Sequence, residues 1–313
     1  MAHDIHPDMI ELLRLEAEWP ANQTLEQERV SWRAFCLANN RPCPREISVE
    51  NRAIGDVGHR VPVRIYRPHE NGREPCFVYI HGGGWILGDL DTNDTIAWGF
   101  AAETGATVIS VDYRLAPEHP FPAAFDDCYA VVSHLARHAT AFGVDPHRIA
   151  VGGDSAGGNL TAAVALALRD RRGPPIVAQV LIYPVLGTDI ELPSYRENEN
   201  APLLTRDGMI HYLDAYLGAH RAAPPAYAMP MMAADLRNLP PALVHTAQHD
   251  PLRDEGKLYA DRLAEAGNEV EYRCATRMLH SFMRARFQGD AAGAEFEAIC
   301  AFLRRHLHST RVA

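Results

Sequence analysis

The chain alternates short apolar runs with longer segments that have the apolar spacing of helices. Five runs are almost continuously apolar, as strands covered on both faces would be. They occupy residues 76–80, 106–111, 148–152, 176–182 and 242–246, and a further strand is expected at 269–275. Helical segments are expected at 92–103, 123–142, 156–171 and 255–266. Strands and helices that take turns in this way predict βαβ units and a parallel sheet.

Four stretches depart from this alternation. Residues 46–54 and 61–66 lack an intervening helix, so we expect them to form an antiparallel edge of the sheet. The helix-like start, 1–45, and the Pro-interrupted stretch 186–228 are together interpreted as a helical cap. Material inserted after a strand of an open α/β sheet lies over the ligand site. The core then consists of two parts, 46–185 and 229–313.

The composition is that of a folded globular protein, and the negative net charge argues against nucleic-acid or membrane-surface binding. The 313 residues suffice for one large α/β domain with an appendage, and 47% hydrophobic and 22% charged residues are typical of a folded chain. A formal net charge of -10 argues against a surface that binds nucleic acid or anionic lipid. We therefore expect no nucleic-acid partner.

Cysteine usage and the chain start favour a cytoplasmic protein. The first ten residues show no basic segment followed by an apolar run, and no stretch of about 18 apolar residues occurs. Six cysteines are scattered without a C-x-x-C pair, which predicts reduced thiols rather than disulfides or a zinc site. They are Cys36, Cys43, Cys76, Cys128, Cys274 and Cys300.

A Gly-x-Ser-x-Gly pentapeptide at 153–157 lies directly after one predicted strand and directly before a predicted helix. This context is what a nucleophile elbow requires, because a tight turn lifts the serine hydroxyl above the sheet edge. Ser155 is therefore the candidate nucleophile. The alternative is a plain strand-to-helix glycine turn. Asp154 is expected to tie this turn to neighbouring loops.

A second motif, His-Gly-Gly-Gly at 81–84, follows the strand 76–80. Consecutive glycines leave backbone N–H groups unobstructed, and acyl transfer needs such donors aimed at a tetrahedral oxyanion. The candidate donors are Gly83, Gly84 and Ala156. A phosphate-binding loop is the alternative, although no complete phosphate-binding motif follows. His81 is expected to brace the loop.

Asp250 and His280 complete the order Ser, Asp, His that is expected of an α/β-hydrolase sheet, and each follows a predicted strand. A serine hydroxyl needs an imidazole to take its proton, and the imidazole needs a carboxylate to fix its tautomer. Asp254 competes with Asp250, but it begins the next helix, where capping is its ordinary role.

Two further histidines, His134 and His138, have the i, i+4 spacing of a helical metal pair. No Glu follows His134 and the sequence suggests no third ligand. We therefore interpret the pair as part of a solvated helix face.

Four ordered motifs resemble those of the bacterial hormone-sensitive-lipase-like esterases. They are HGGG at 81–84, YRLAPEHPFPAA at 113–124, GDSAGGNL at 153–160 and DPLRDEG at 250–256. The resemblance runs from about residue 45 to the end. It implies an α/β-hydrolase fold, in which a mostly parallel, twisted central sheet is flanked by helices and carries a helical cap. This chain departs from the family pattern at Ser281 and Met229, which bears on substrate preference.

The resemblance also implies a carboxylesterase that acts on small-molecule esters with short or medium acyl chains through an acyl-enzyme. It carries over the same triad and oxyanion donors. No metal or organic cofactor is expected, and a homodimer is possible by analogy. An amidase or peptidase with the same triad, and a binding protein without turnover, remain alternatives. Aromatic residues that could roof an acyl pocket are Trp19, Trp32, Phe35, Tyr212 and Tyr216.

Overall fold

A computed structural model describes residues 4–20, 23–56, 58–69 and 72–309. The remaining positions, which include parts of the predicted cap segment 1–45 and of both core segments, lie outside the described residues. Eight strands form one sheet in the order β1-β2-β4-β3-β5-β6-β7-β8. They are β1 (Ser48–Ile54), β2 (Val61–Arg67), β3 (Glu74–Ile80), β4 (Thr107–Val111), β5 (Val144–Asp154), β6 (Ala178–Ile182), β7 (Ala242–His249) and β8 (Val270–Leu279).

Nine α-helices lie among the described residues. They are α1 (Ile10–Glu16), α2 (Leu25–Asn39), α3 (Asp94–Thr104), α4 (Ala123–Arg137), α5 (Ala156–Asp170), α6 (Pro193–Glu197), α7 (Arg206–Leu217), α8 (Arg253–Glu265) and α9 (Asp290–Leu307). Short 3₁₀ turns occupy Pro7–Met9, Ala139–Phe142, Gly218–His220, Pro230–Met232 and Phe282–Ala285.

The sheet is parallel from β4 to β8 and antiparallel at one edge. β3 lies between β4 and β5 and pairs in parallel with both strands. β2 pairs antiparallel with β4, and β1 pairs antiparallel with β2. The parallel centre and the antiparallel edge expected from the sequence are both confirmed.

Both faces of the central strands are buried, which explains their unbroken apolar sequences. Along β3, Val78 and Ile80 pack with the face that is covered by α4 and α5. Phe77 and Tyr79 pack on the opposite face with residues of α3 and α9. All four side chains are fully buried. Alternate residues of one strand therefore hold two helical layers together.

Two helices, α4 and α9, differ from the sequence expectation by more than one or two residues. The helix expected over 123–142 ends at Arg137, and a 3₁₀ turn continues it from Ala139. The alternation of elements did not assign α9, an 18-residue helix near the end of the chain. Its buried residues, among them Phe296 and Leu303, join the core on the α3 face. In the part of the chain that the structure describes, no helix is long and apolar enough to cross a bilayer.

Helices α2 and α7 contact the loops that follow β3. Arg29 on α2 donates from Nε to the carbonyl oxygen of Ile86, 2.9 Å away. Tyr212 on α7 lies against Gly84 and donates its hydroxyl to Glu28 on α2 at 3.0 Å. The two helices are therefore joined to each other above the carboxyl end of β3.

Candidate active site

Ser155 lies at the turn between β5 and α5, with φ 55° and ψ -118°. This backbone conformation is sparsely populated for a residue with a side chain, and such a residue costs about 1–3 kcal/mol. The backbone N–H of Ser155 donates to the carbonyl oxygen of Ile182 on β6 at 2.8 Å. The neighbouring strand thus helps to hold the turn that raises the serine hydroxyl.

The residues around Ser155 must be small because the backbone at the start of α5 lies very close to the end of β3. A Cβ atom at Gly157 would overlap the carbonyl oxygen of Ile80 at the end of β3. A side chain there would push α5 away from the sheet. The glycine pattern of the pentapeptide therefore reflects how closely α5 and β3 approach each other.

His280 connects Ser155 and Asp250 in one chain of hydrogen bonds. The Nε2 atom of His280 lies 2.9 Å from Ser155 Oγ, and its Nδ1 atom lies 2.7 Å from Asp250 Oδ2. His280 follows β8 and Asp250 follows β7, so neighbouring parallel strands bring the two side chains together. The exposed fractions of Ser155, His280 and Asp250 are only 7%, 5% and 0%.

The two acids that competed on sequence grounds have different partners. The second carboxylate oxygen of Asp250 accepts the N–H of Leu252 at 2.9 Å, which fixes the orientation of the carboxylate towards His280. Asp254 accepts the N–H of Ser194 at the start of α6, 2.8 Å away. Asp254 therefore binds the amino end of a neighbouring helix, and the expectation that it caps its own helix α8 is wrong.

The expected oxyanion donors surround the serine. Gly83 and Gly84 line the same cavity as Ser155 and His280. Ala156 is the first residue of α5, where backbone N–H groups have no carbonyl one turn earlier. Gly84 has φ 57°, and a Cβ atom there would lie 2.6 Å from Tyr212 Cγ. Any larger residue would be strained and would displace the aromatic ring that covers the loop.

Asp154 joins the serine turn to the glycine loop. Its Oδ1 atom accepts the N–H of Gly82 at 2.9 Å and the hydroxyl of Tyr79 at 2.6 Å. Burial and the nearby Asp154 raise the pKa values of Tyr79 and Tyr183 well above the usual value for tyrosine, so both hydroxyls stay protonated. Sequence reasoning missed these tyrosines, whose only signal was an aromatic residue near a strand end.

His81 braces the glycine loop, as expected. Its ring stacks on Tyr113 with 4.3 Å between the ring centroids, and its Nδ1 atom lies 2.7 Å from the carbonyl oxygen of Gly82. The hydroxyl of Tyr113 donates to the carbonyl oxygen of His81 at 2.9 Å. Burial lowers the pKa of His81, which favours the neutral imidazole.

The aromatic residues proposed for the acyl pocket separate into two groups. Trp32 and Tyr212 line the cavity beside Ser155, which has a volume of only about 20 Å³. Leu203 and Leu204, which sequence reasoning did not single out, line it too. No periodic or motif signal distinguishes these leucines, because they reach the cavity from an irregular segment.

The other three aromatic candidates lie elsewhere. Trp19 and Phe35 contact each other edge to face and line a separate cavity. Tyr216 is fully buried and stacks on Trp85 with 4.1 Å between the ring centroids. These three side chains do not line the cavity beside Ser155, because helix packing directs them to other neighbours.

Known proteins resemble this chain over most of its length. A family model described as the alpha/beta hydrolase fold matches residues 77–284. A carboxylesterase of Mycobacterium tuberculosis, NlhH, is 44% identical over 271 residues, which cover 84% of each chain. An ethyl acetate hydrolase of Pseudomonas putida is 34% identical and covers 86% of this chain and 85% of its own.

Solved structures agree with these relatives. An esterase of Pyrobaculum calidifontis superposes with a TM-score of 0.88 at 37% identity and covers 96% of this chain and 98% of its own. The range that the family model matches, residues 77–284, includes Ser155, Asp250 and His280. The chain therefore belongs to the α/β-hydrolase family and is a carboxylic ester hydrolase of the hormone-sensitive-lipase-like group.

Proposed function

We propose that Ser155 is the nucleophile of this carboxylesterase, with His280 as general base and Asp250 as the group that orients it. The observation that carries the proposal is the continuous pair of hydrogen bonds, 2.9 Å from Ser155 Oγ to His280 and 2.7 Å from His280 to Asp250. Nucleophile, base and orienting acid must have this connectivity for a serine hydroxyl to react at neutral pH.

In the first half-reaction, Ser155 Oγ attacks the ester carbonyl carbon while its proton passes to His280 Nε2. The carbonyl oxygen becomes an oxyanion, which the N–H groups of Gly83, Gly84 and Ala156 stabilise. When the tetrahedral intermediate collapses, the bond to the alcohol oxygen breaks. His280 gives its proton to that oxygen, and the acyl group stays on Ser155.

The second half-reaction repeats these roles with water. His280 takes a proton from a water molecule, whose oxygen attacks the acyl carbon. The Ser155–acyl bond then breaks, and the proton returns from His280 to Ser155 Oγ as the acid leaves. Asp250 keeps its hydrogen bond to His280 Nδ1 throughout and stabilises the imidazolium that forms twice per turnover.

The cavity beside Ser155 supports a preference for short acyl groups. Its volume of about 20 Å³ is close to the space that one water molecule needs. Trp32 and Tyr212 form part of its wall, and the ring of Tyr212 already lies against Gly84. We infer that acyl chains longer than acetyl require the Tyr212 ring to move, because that ring lies against Gly84 in the cavity wall.

The division into core and cap is part of the same proposal. The segments 1–45 and 186–228 contain α1, α2, α6 and α7 as the helices that would form the cap. The hydrogen bond between Tyr212 and Glu28 joins these two segments, as a shared cap requires. The core would then comprise 46–185 and 229–313.

The proposal is tested with chromogenic esters of increasing acyl length and with a fluorophosphonate. We expect the fastest turnover with the shortest acyl groups and covalent labelling of Ser155 alone. Ser155→Ala should abolish both the turnover and the label, with Ser309→Ala, which changes an exposed serine outside the site, as the matched control that retains them. Labelling of another residue, or full activity of Ser155→Ala, would show that the assignment is wrong.

Two expectations from the sequence stay predictions. A cytoplasmic location is one of them. The other is a homodimer, for which β8 is the candidate surface because it is the last strand at one edge of the sheet and, among the described residues, pairs with no strand besides β7. Light scattering of the purified protein measures the mass of the assembly and tests the dimer.

A further inference from the structure

His134 and His138 lie at the end of α4, at a site remote in sequence from the triad. His134 occupies the last turn of the helix, and His138 is the residue that follows it. Their ring centroids are 4.4 Å apart. The sequence suggests no third ligand for this i, i+4 pair, and a pair alone does not make a metal site.

Folding supplies the missing ligand. Asp56, in the connection between β1 and β2, lies with its Oδ1 atom 3.0 Å from Nδ1 of His134. One ligand atom each from Asp56, His134 and His138 lies within 4.8 Å of the other two. Because 78 residues separate Asp56 from His134, only the tertiary structure brings the three groups together.

We propose that Asp56, His134 and His138 bind one divalent transition-metal cation, with Zn²⁺ as the best-suited ion. Two imidazoles and one carboxylate form a ligand set that suits zinc, and water can complete a four-coordinate shell. Tetrahedral zinc with bonds of about 2.1 Å separates its ligand atoms by roughly 3.4 Å. The His134–Asp56 pair at 3.0 Å must therefore open slightly, and a pair near the 4.8 Å limit must close by about 1.4 Å, which side-chain rotation can provide.

The charges around the cluster both favour and limit binding. The Asp56 side chain is 66% exposed and its Oδ1 atom lies 3.0 Å from Nδ1 of His134, so a cation can reach the carboxylate from solvent. Arg137 is 3.3 Å from the other carboxylate oxygen, and its positive charge opposes a metal ion. We therefore expect affinity on the order of micromolar, weaker than in a closed structural zinc site.

Binding would fasten the β1–β2 connection to the end of α4. The ion takes the place of the hydrogen bond between His134 and Asp56, and a neutral His134 that binds the ion through Nδ1 carries its proton on Nε2. The cation bonds to two elements that are distant in the sequence. This should raise the melting temperature without changing ester hydrolysis, because none of the three ligands belongs to the site around Ser155.

The test is a calorimetric titration of the full chain with ZnCl₂, with MgCl₂ as the comparison ion. We expect one saturable zinc site and no magnesium binding, because Mg²⁺ prefers oxygen ligands. His138→Ala and Asp56→Asn should each weaken zinc binding at least tenfold. His147→Ala, which removes another exposed histidine, is the matched control and should bind zinc as the wild type does.

The outcomes separate this site from zinc bound elsewhere. Zinc that binds to cysteines or to His280 would be insensitive to His138→Ala and to Asp56→Asn, and that result would overturn the proposal. Absence of saturable binding to the wild type would overturn it as well. Unchanged circular dichroism and esterase activity of both variants would show that lost binding does not reflect misfolding.

Discussion

Two histidine–carboxylate pairs in this chain have similar hydrogen bonds and different surroundings. His280 and Asp250 are 2.7 Å apart and almost completely buried at the carboxyl ends of β7 and β8. His134 and Asp56 are 3.0 Å apart at the surface, where the Asp56 side chain is 66% exposed. The group next to the His280–Asp250 pair is the Ser155 hydroxyl, whereas the group next to the His134–Asp56 pair is the imidazole of His138.

The difference shows that a histidine–carboxylate pair acquires its chemistry from what surrounds it. In the buried site, the three side chains are at most 7% exposed, so the field of Asp250 acts on His280 with little screening. Strained backbone and unpaired N–H groups are positioned beside the same serine. At the surface, water screens the pair, and a small rotation of an exposed side chain can admit a metal ion.

The largest expected contrast comes from removing each imidazole. His280→Ala should lower kcat for an acetyl ester by about 10⁶, because the serine loses its base. His134→Ala should leave kcat within about twofold of the wild type. Steady-state kinetics with both variants measures the contrast, and a comparable loss in the two would contradict the separate roles.

The next largest difference in kcat is expected when each carboxylate is replaced by the corresponding amide. Asp250→Asn should lower kcat by about 10⁴, since the amide favours the wrong tautomer of His280 and cannot stabilise the imidazolium. Asp56→Asn should not change kcat. If Asp250→Asn kept most of its activity, another acid would have to orient His280, and Asp254 would be the first candidate.

The activity of the buried site should also depend on Asp154, which holds the glycine loop beside the serine turn. Asp154→Asn removes an ionised acceptor from the N–H of Gly82, so the glycine loop should lose its position and kcat should fall about tenfold to a hundredfold. Tyr79→Phe, which removes one donor to the same carboxylate, should have a smaller effect. A change in KM with kcat preserved would instead assign Asp154 to substrate binding.

A smaller change is expected from the wall of the cavity. Tyr212→Ala should raise the kcat/KM of a butyryl ester relative to an acetyl ester by about tenfold, because the ring that limits the acyl chain is removed. Trp19→Ala is the control and should leave this ratio unchanged, since Trp19 lies outside the cavity. Equal ratios in all three proteins would contradict the proposed short-acyl limit.

The smallest effect is expected from the surface pair in metal-free buffer. Asp56→Asn should leave the melting temperature within about 1 °C of the wild type, because exposed ion pairs contribute little to stability. Differential scanning calorimetry with a chelator measures this. A larger decrease would mean that Asp56 is structurally important without any bound ion.

Much of the fold could be predicted because the central strands are covered on both faces. Burial on both sides demands near-continuous apolar runs, and β3 to β7 all show them. The strand β8 was recognised despite polar residues, because it follows α8 in the same alternation. Helix α9 was harder to assign, since a helix after the last strand has no further strand to mark its end.

The candidate triad was predictable because each member follows a strand, and parallel strands end at the same edge. The cavity was less predictable. Trp32 and Phe35 are aromatic residues three positions apart on α2 whose rings stack with 5.7 Å between centroids, yet only Trp32 lines the cavity beside Ser155. Which face of α2 meets the glycine loop depends on packing against other elements, and side-chain type does not encode it.

The sequence by itself determined the parallel sheet, the family and the motifs around Ser155, because these depend on local periodicity and on residues that are adjacent along the chain. Only the tertiary structure decided which aromatic rings enclose the small cavity and that Asp56 joins His134 and His138. Those contacts link segments far apart in the sequence. Their distances follow from how helices and strands pack together, which no local pattern specifies.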